Sequence, residues 1–157
     1  MPEPAEFRGT LLGFDYGMRR IGVAVGQFAT RTASPLQTVA HRDAPDWDAL
    51  DRLIREWRPN ALVVGLPLND KGEETDLSRA ARRFGGALAK RYGLPCRFAD
   101  ERLTSKAAEA QFAEMRARGS ARRKHAQRLD AMAAQIILEN WLQSAPDGAP
   151  PATAADA

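Results

Sequence analysis

Three acids are spaced along the chain so that one fold could gather them around a divalent metal: Asp15, Glu101 and Asp130. Asp15 follows an apolar, β-favouring run, Thr10 to Phe14, and precedes a glycine-bearing turn. Glu101 comes just past a second such run, Cys96 to Ala99. Asp130 follows the apolar Leu129 in a helical pattern, which puts it on the border of that helix's buried face. Carboxylates converging beside an apolar core repel one another and lose hydration, so something positive must compensate. A Lys or Arg can do so, and a hard divalent cation with oxygen ligands is the usual answer to a carboxylate cluster. Two such ions about 3.5–4 Å apart can activate a water and stabilise the leaving oxygen of a phosphodiester. Taken singly, each acid has a plainer reading. Asp15 can be a turn former, Glu101 a surface acid beside Arg102, and Asp130 an exposed helical acid. Only the joint placement favours a metal site.

Other chemistries find little support. Two scattered histidines, His41 and His125, and the single Cys96 cannot make an all-protein zinc site. There is no Gly-x4-Gly-Lys-Ser/Thr phosphate loop, and Gly13, Gly17 and Gly22 do not form the dinucleotide fingerprint. One cysteine allows no internal disulfide, and a reducing compartment is its simplest home. The opening residues, MPEPAEF, lack a basic-then-apolar signal, and runs such as Ala61 to Leu66 are far short of the ~20 residues that span a bilayer. The expectation is a cytoplasmic protein with no membrane partner. Net charge is only +3, but from Arg116 to Arg128 there are six Lys/Arg residues plus His125 and no acid. Such a run can bind phosphate and release counterions, or it can be a solvated face.

The elements that must position these residues follow from periodicity. Thr10 to Phe14 and Ile21 to Val25 flank a polar turn and read as a hairpin, with both faces covered. Leu36 to Val39 can add a third strand. Asp43 and Asp46 have capping-box spacing with Pro45 in the first turn, and Trp47, Leu50, Ile54 and Trp57 then recur at helical spacing until Pro59. Ala61 to Leu66 reads as a buried strand. Leu77, Ala81, Phe84, Leu88 and Tyr92 make the stripe of a second helix, ended by Gly93 and Pro95. After the Cys96 to Ala99 strand, Thr104 or Ser105 can cap a helix running to Gly119. A last helix carries Leu129, Met132, Ala133, Ile136 and Ile137 and fades near Trp141. Strands alternating with helices imply right-handed parallel crossovers behind the opening hairpin. The order describes one α/β domain of three layers with a mixed central sheet, over residues 9–143. Residues 1–8 and the Ala/Pro/Gly/Asp-rich residues 144–157 read as disordered ends. At one sheet edge, Asp15 and Glu101 would emerge together, with Asp130 aimed at them from a helix packed across the sheet.

Four segments, GFDYGMRRIGVAVG, VVGLPLNDKGEE, DERLTS and LDAMAAQIIL, occur in this order and resemble the hallmark segments of the YqgF/RuvX family. That family is assigned to Holliday-junction resolution and to processing the 5′ end of pre-16S ribosomal RNA. The resemblance covers about Gly9 to Trp141. It implies a ribonuclease-H-like fold and a nuclease requiring Mg²⁺ or Mn²⁺, with two ions held by Asp15, Glu101 and Asp130 as the catalytic acids. Two small departures stand out: Asp70-Lys71-Gly72 where the family often has Met-Asp-Gly, and Arg128 where a Lys is common. Within this resemblance Arg19, Arg20, Arg102, Arg123, Lys124 and Arg128 become candidate nucleic-acid contacts, with Arg122 beside them. Arg102 can instead orient the acids as an ion pair, and Asn69 can touch a phosphate or shape its loop. The three tryptophans fall at apolar-face spacing and Cys96 within a strand, which makes them core residues.

The implied partner is a nucleic acid, either pre-rRNA, with ribosomal particles as a further partner, or branched DNA. Resolving a junction takes two symmetric cuts and hence a homodimer, whereas trimming an RNA end takes one site and allows a monomer. The RNA role is therefore slightly preferred. Two other classes stand beside it: an actin-like ATP-binding domain, which normally needs two such domains, and a non-catalytic RNA- or ribosome-binding factor that keeps the fold.

Overall fold

The hairpin forms as its apolar runs require. In the computed structural model, which describes residues 9–100 and 123–144, with side chains in the second segment described from Leu129 onward, β1 (Thr10–Tyr16) and β2 (Arg20–Gln27) pair antiparallel from Thr10↔Gln27 to Tyr16↔Ile21. β3 (Thr32–Ala40) lies outside β2, also antiparallel. It is longer than the four residues its apolar pattern marks, because an edge strand with one wet face needs few apolar positions. Its Pro35 pairs with Ala24 just past a register irregularity at Val23/Ala24, the kind of place where a residue without an N–H is tolerated.

α1 (Trp47–Trp57), β4 (Ala61–Leu66), α2 (Asp76–Tyr92) and β5 (Cys96–Asp100) follow, and β1, β4 and β5 are parallel. The sheet order is β3-β2-β1-β4-β5, a mixed sheet behind an opening hairpin. α3 (Arg123–Ser144) closes the described chain. Leu12, Phe14, Ile21, Val23, Leu62, Val64 and Phe98 face α1 and α2, with Leu50, Leu53, Phe84 and Leu88 packed over them. The alternate residues Leu11, Ala24, Ala61, Val63 and Ala99 face α3, through Ala134, Ile137, Leu138, Trp141 and Leu142. Period-two alternation thus feeds two cores, one on each side of the sheet.

Local caps set the helix limits. Asp46 alone caps α1, accepting from the Ala49 N–H at 3.2 Å, while Asp43 and Pro45 lie before the cap and Pro45 bridges back to His41. This corrects the expectation of Asp43 as the cap and Pro45 in the first turn. A carboxylate at Asp46 reaches the third N–H of the helix, and Asp43 is a turn too early. Arg58, in left-handed conformation, ends α1 before Pro59. Thr75 and Ser78 form a reciprocal capping box on α2, and Gly93 closes it at φ 64°. α3 continues past Trp141 to Ser144, because Trp141 and Leu142 are buried and their burial holds the last turn. Ser144 therefore ends a helix. The helix expected over 104–119, and the ends expected to be disordered at 1–8 and 145–157, lie outside the described residues. Among the described residues no helix is long and apolar enough to cross a membrane.

Candidate active site

Asp15 sits on the α3 face of β1, in line with Leu11 and Gly13, and is partly buried. Its cross-strand partner on β2 is Gly22. One step beyond the last β1–β4 pair, Phe14↔Val64, the α3 face of β4 carries Gly65, so Asp15 is flanked by two residues without side chains. The next residue, Tyr16, points to the opposite face and anchors the strand end. Its ring lies 5.0 Å from Phe84 and 5.1 Å from His41. Burial pushes the Tyr16 phenol up, against a smaller opposing effect of the Arg83 charge, and keeps it neutral.

α3 brings the second acid to this place. Its backbone crosses β2 so closely that a Cβ at Gly22 would fall 1.9 Å from the Asp130 carbonyl oxygen. Paired strand residues have Cα atoms about 4.5–5.5 Å apart, so Asp130 lies over the immediate neighbour of Asp15. Two acids 115 positions apart in the sequence therefore share one end of the hairpin. The glycines make that approach possible: Gly13, Gly22 and Gly26 each leave room that Leu138, Asp130 or Leu142 occupies. Hydrogen bonds pin the far end of the helix to the edge strand. Gln135 Nε2 donates to the Ala33 carbonyl, Glu139 Oε2 accepts from the Ala33 N–H, and Arg31 donates to the Leu142 carbonyl.

Asp130 is engaged by Arg20, whose Nε donates to Oδ2 at 2.5 Å, with the two side chains 40% and 24% exposed. The positive partner that a carboxylate beside a core needs is thus supplied here by an arginine of the same hairpin. Arg19 is exposed and has no side-chain partner among the described residues. The turn carrying both is held from behind by His41, which is 7% exposed. His41 Nδ1–H donates to the Gly17 carbonyl at 2.8 Å, which leaves Nε2 facing the Tyr16 hydroxyl at 3.5 Å, and the His41 N–H donates to the Arg19 carbonyl. Sequence reasoning missed His41 and Tyr16. The main partner of His41 is a backbone carbonyl 24 residues away, and residue types carry no trace of that bond.

The Asn69 amide is absorbed by its own loop. Oδ1 accepts from the N–H groups of Lys71 and Glu73, and Nδ2 donates to Glu73. Cys96 is buried, and that burial pushes its thiol up to about 12. Glu101, Arg102 and Arg122 lie outside the described residues, as do the side chains of Arg123, Lys124 and Arg128. Among the described residues no three of His, Cys, Asp and Glu stand together. Asp15 and Asp130 are carboxylate oxygen donors over a glycine floor, with one negative charge already drawing a cation. That donor set fits a hard divalent ion.

A family model described as "RuvX: Holliday junction resolvase" matches residues 9–144. A protein of Hydrogenovibrio crunogenus is 46% identical over 145 residues, covering 92% of this chain and 99% of that one. One from Nitrosococcus oceani is 49% identical over 142 residues, 90% of each chain. Both carry the name "Putative pre-16S rRNA nuclease". Among solved structures, T. thermophilus RuvC in complex with Holliday junction substrate superposes with a TM-score of 0.51, covering 91% of this chain and 99% of that one at 17% identity. That likeness establishes the fold as ribonuclease-H-like.

Proposed function

The chain belongs to the RuvX family, and from that premise we propose that it is a metal-dependent nuclease that hydrolyses phosphodiester bonds at the 5′ end of pre-16S ribosomal RNA. The observation that carries this reading is the meeting of Asp15 and Asp130 over Gly22. The ion pair with Arg20 holds the Asp130 side chain, and the glycine gap lets its backbone come to rest beside the strand partner of the first-strand acid. Relatives named for pre-16S rRNA, at 46% and 49% identity over nine-tenths of the chain, support the choice of substrate.

In this reading Asp15, Asp130 and Glu101, the residue after β5, hold Mg²⁺ or Mn²⁺. When bound, the metal supplies Lewis acidity at the phosphoryl group and lowers the pKa of a coordinated water. The rest falls to this chain's own residues. Tyr16 and His41 fix the end of β1 and the turn beyond it, so that Asp15 is presented at a set height. Arg20 holds the Asp130 carboxylate in one rotamer. Arg19, Arg102, Arg123, Lys124 and Arg128 contact backbone phosphates, which positions substrate without reading its sequence. Asn69 acts indirectly, by shaping the 67–75 loop.

The test is cleavage of a pre-16S 5′ leader and of a mobile four-way junction by purified protein with Mn²⁺ or Mg²⁺. Asp15→Asn should abolish metal-dependent cleavage with the fold intact, and undiminished cleavage by that variant overturns the proposal. The family description favours a second reading, a junction resolvase. Paired symmetric cuts in the junction by a dimer, with the leader untouched, would select it.

A further inference from the structure

A cleft of about 780 Å³ has in its lining Arg20, the residue that pairs with Asp130. Three separate stretches line it: the hairpin turn with Met18, Arg19 and Arg20, the link after β3 with His41 and Arg42, and the face of α1 with Arg52. Its charge is positive on balance. Four guanidinium groups line it with two carboxylates, Asp43 and Asp46; Arg20 is paired with Asp130, so Arg19, Arg42 and Arg52 leave a net positive charge over the two acids. Arg19, Arg42 and Arg52 are exposed and have no ion-pair partner among the described residues. Buried His41, tied to Gly17, is part of the lining. Met18, also in the lining, is 63% exposed, the one large hydrophobic side chain so exposed among the described residues.

We propose that this cleft is a binding channel for a single nucleic-acid strand, leading its phosphodiester backbone away from the acid site over Arg19, Arg42 and Arg52. The ligand chemistry follows from the lining. Spaced guanidinium forks suit a chain of repeating monoanions, as in other single-strand channels, and an exposed apolar side chain in the lining offers a surface for a base. A concave channel admits one flexible strand, whereas a duplex presents its phosphates on a convex surface. Arg20 links the cleft to the acid site: it lines the one and bonds Asp130 of the other. The proposal rests on the nuclease reading for its direction relative to the scissile bond, and it specifies where the uncut flank of the substrate lies.

The test is equilibrium binding of fluorescein-labelled oligonucleotides by anisotropy, in chelator so that nothing is cut, across a salt series. The probes are one sequence as single-stranded RNA, as single-stranded DNA and as duplex. Arg42→Ala/Arg52→Ala should weaken single-strand binding about tenfold at low salt. It should also flatten the slope of log K against log salt by about 1.4, since each phosphate contact on a single strand contributes about 0.7. Arg42→Lys/Arg52→Lys, which keeps the charge and guards against loss of fold, should recover the slope. Arg55→Ala/Lys90→Ala removes the same charge from outside the cleft and should leave the slope unchanged. Equal effects of the two alanine pairs would overturn the proposal, as would an effect confined to the duplex. Equal losses on RNA and DNA indicate backbone contacts alone, and a loss on RNA only adds the 2′-hydroxyl to what the channel reads. If the protein cleaves yet the cleft variants match the control, the channel fails and the nuclease reading stands. If binding depends on the cleft but nothing is ever cut, the reverse holds.

Discussion

Replacing Gly22 with alanine should separate the two aspartates while leaving most of the fold in place. The added Cβ would lie 1.9 Å from the Asp130 carbonyl oxygen, 2.3 Å from its carbonyl carbon and 3.0 Å from the Ala131 nitrogen. All three are backbone atoms, so no rotamer change relieves the overlap. To restore contact, α3 must retreat by at least about 1 Å at this point. Its other end cannot follow freely, because Gln135 and Glu139 hold Ala33 and Arg31 holds Leu142. The helix should therefore tilt about its C-terminal half and carry Asp130 away from Asp15. Overpacking of this kind costs about 1–3 kcal/mol, and with backbone as the obstacle we expect the upper end, about 3 kcal/mol. A domain with 5–15 kcal/mol of stability survives that loss. A displacement of about 1 Å at reacting groups, by contrast, costs on the order of a hundredfold in rate. Urea unfolding measures the first effect, and metal-dependent cleavage by the still-folded variant measures the second. Gly86→Ala is the control. It is mid-helix with nothing within 4 Å of its added Cβ, and should gain about 0.5–1 kcal/mol with cleavage unchanged. If Gly22→Ala unfolds at the wild-type urea midpoint and cleaves at the wild-type rate, α3 does not press on β2 at Gly22 and this contact does not set the place of Asp130 beside Asp15.

Two further outcomes concern titration. The Cys96 thiol, pushed up to about 12 by burial against an ordinary 9.0, should react with a thiol reagent at pH 8 far more slowly in the folded protein than in denaturant. Because its folded pKa is raised, its contribution to stability is complete below about pH 9 and is lost as pH climbs toward 12, so Cys96→Ala should flatten alkaline unfolding over that window. Asp51 joins α1 to α2, taking a two-point bond from Arg91 at 2.9 Å and one from the Tyr92 hydroxyl at 2.7 Å. The Arg91 bond, then the Tyr92 bond, hold this carboxyl well below the usual range. With a depressed folded pKa, its stabilisation is complete above about pH 4 and falls as pH drops below that. Asp51→Asn should lower stability at pH 7 and remove part of the acid sensitivity, as read by thermal melts from pH 2 to 7.

Much of the fold could be read before any coordinates. The apolar runs Thr10 to Phe14 and Ile21 to Val25 on either side of a polar turn marked the hairpin, and the helical spacing of Leu77, Phe84 and Leu88 marked α2. The limits were harder. β3 runs to nine residues because a half-wet edge strand needs little hydrophobicity, and α1 is capped by Asp46 rather than Asp43 because only the nearer carboxylate reaches the third N–H.

For the site, the residue types and the four ordered segments carried the family, the candidate acids and the kind of ion they suit, since hardness and charge belong to side chains wherever they lie. Proximity belongs to the fold. That Asp130 comes to rest over Gly22, that Arg20 takes its carboxylate, that His41 holds the turn behind Asp15, and that Arg42 and Arg52 share a cleft with Arg19 all depend on contacts between residues far apart in the chain. Asp15, Glu101 and Asp130 each read alone as an ordinary carboxylate. For Asp15 and Asp130 it is the packing of α3 against two glycine-lined strands that brings them into one place.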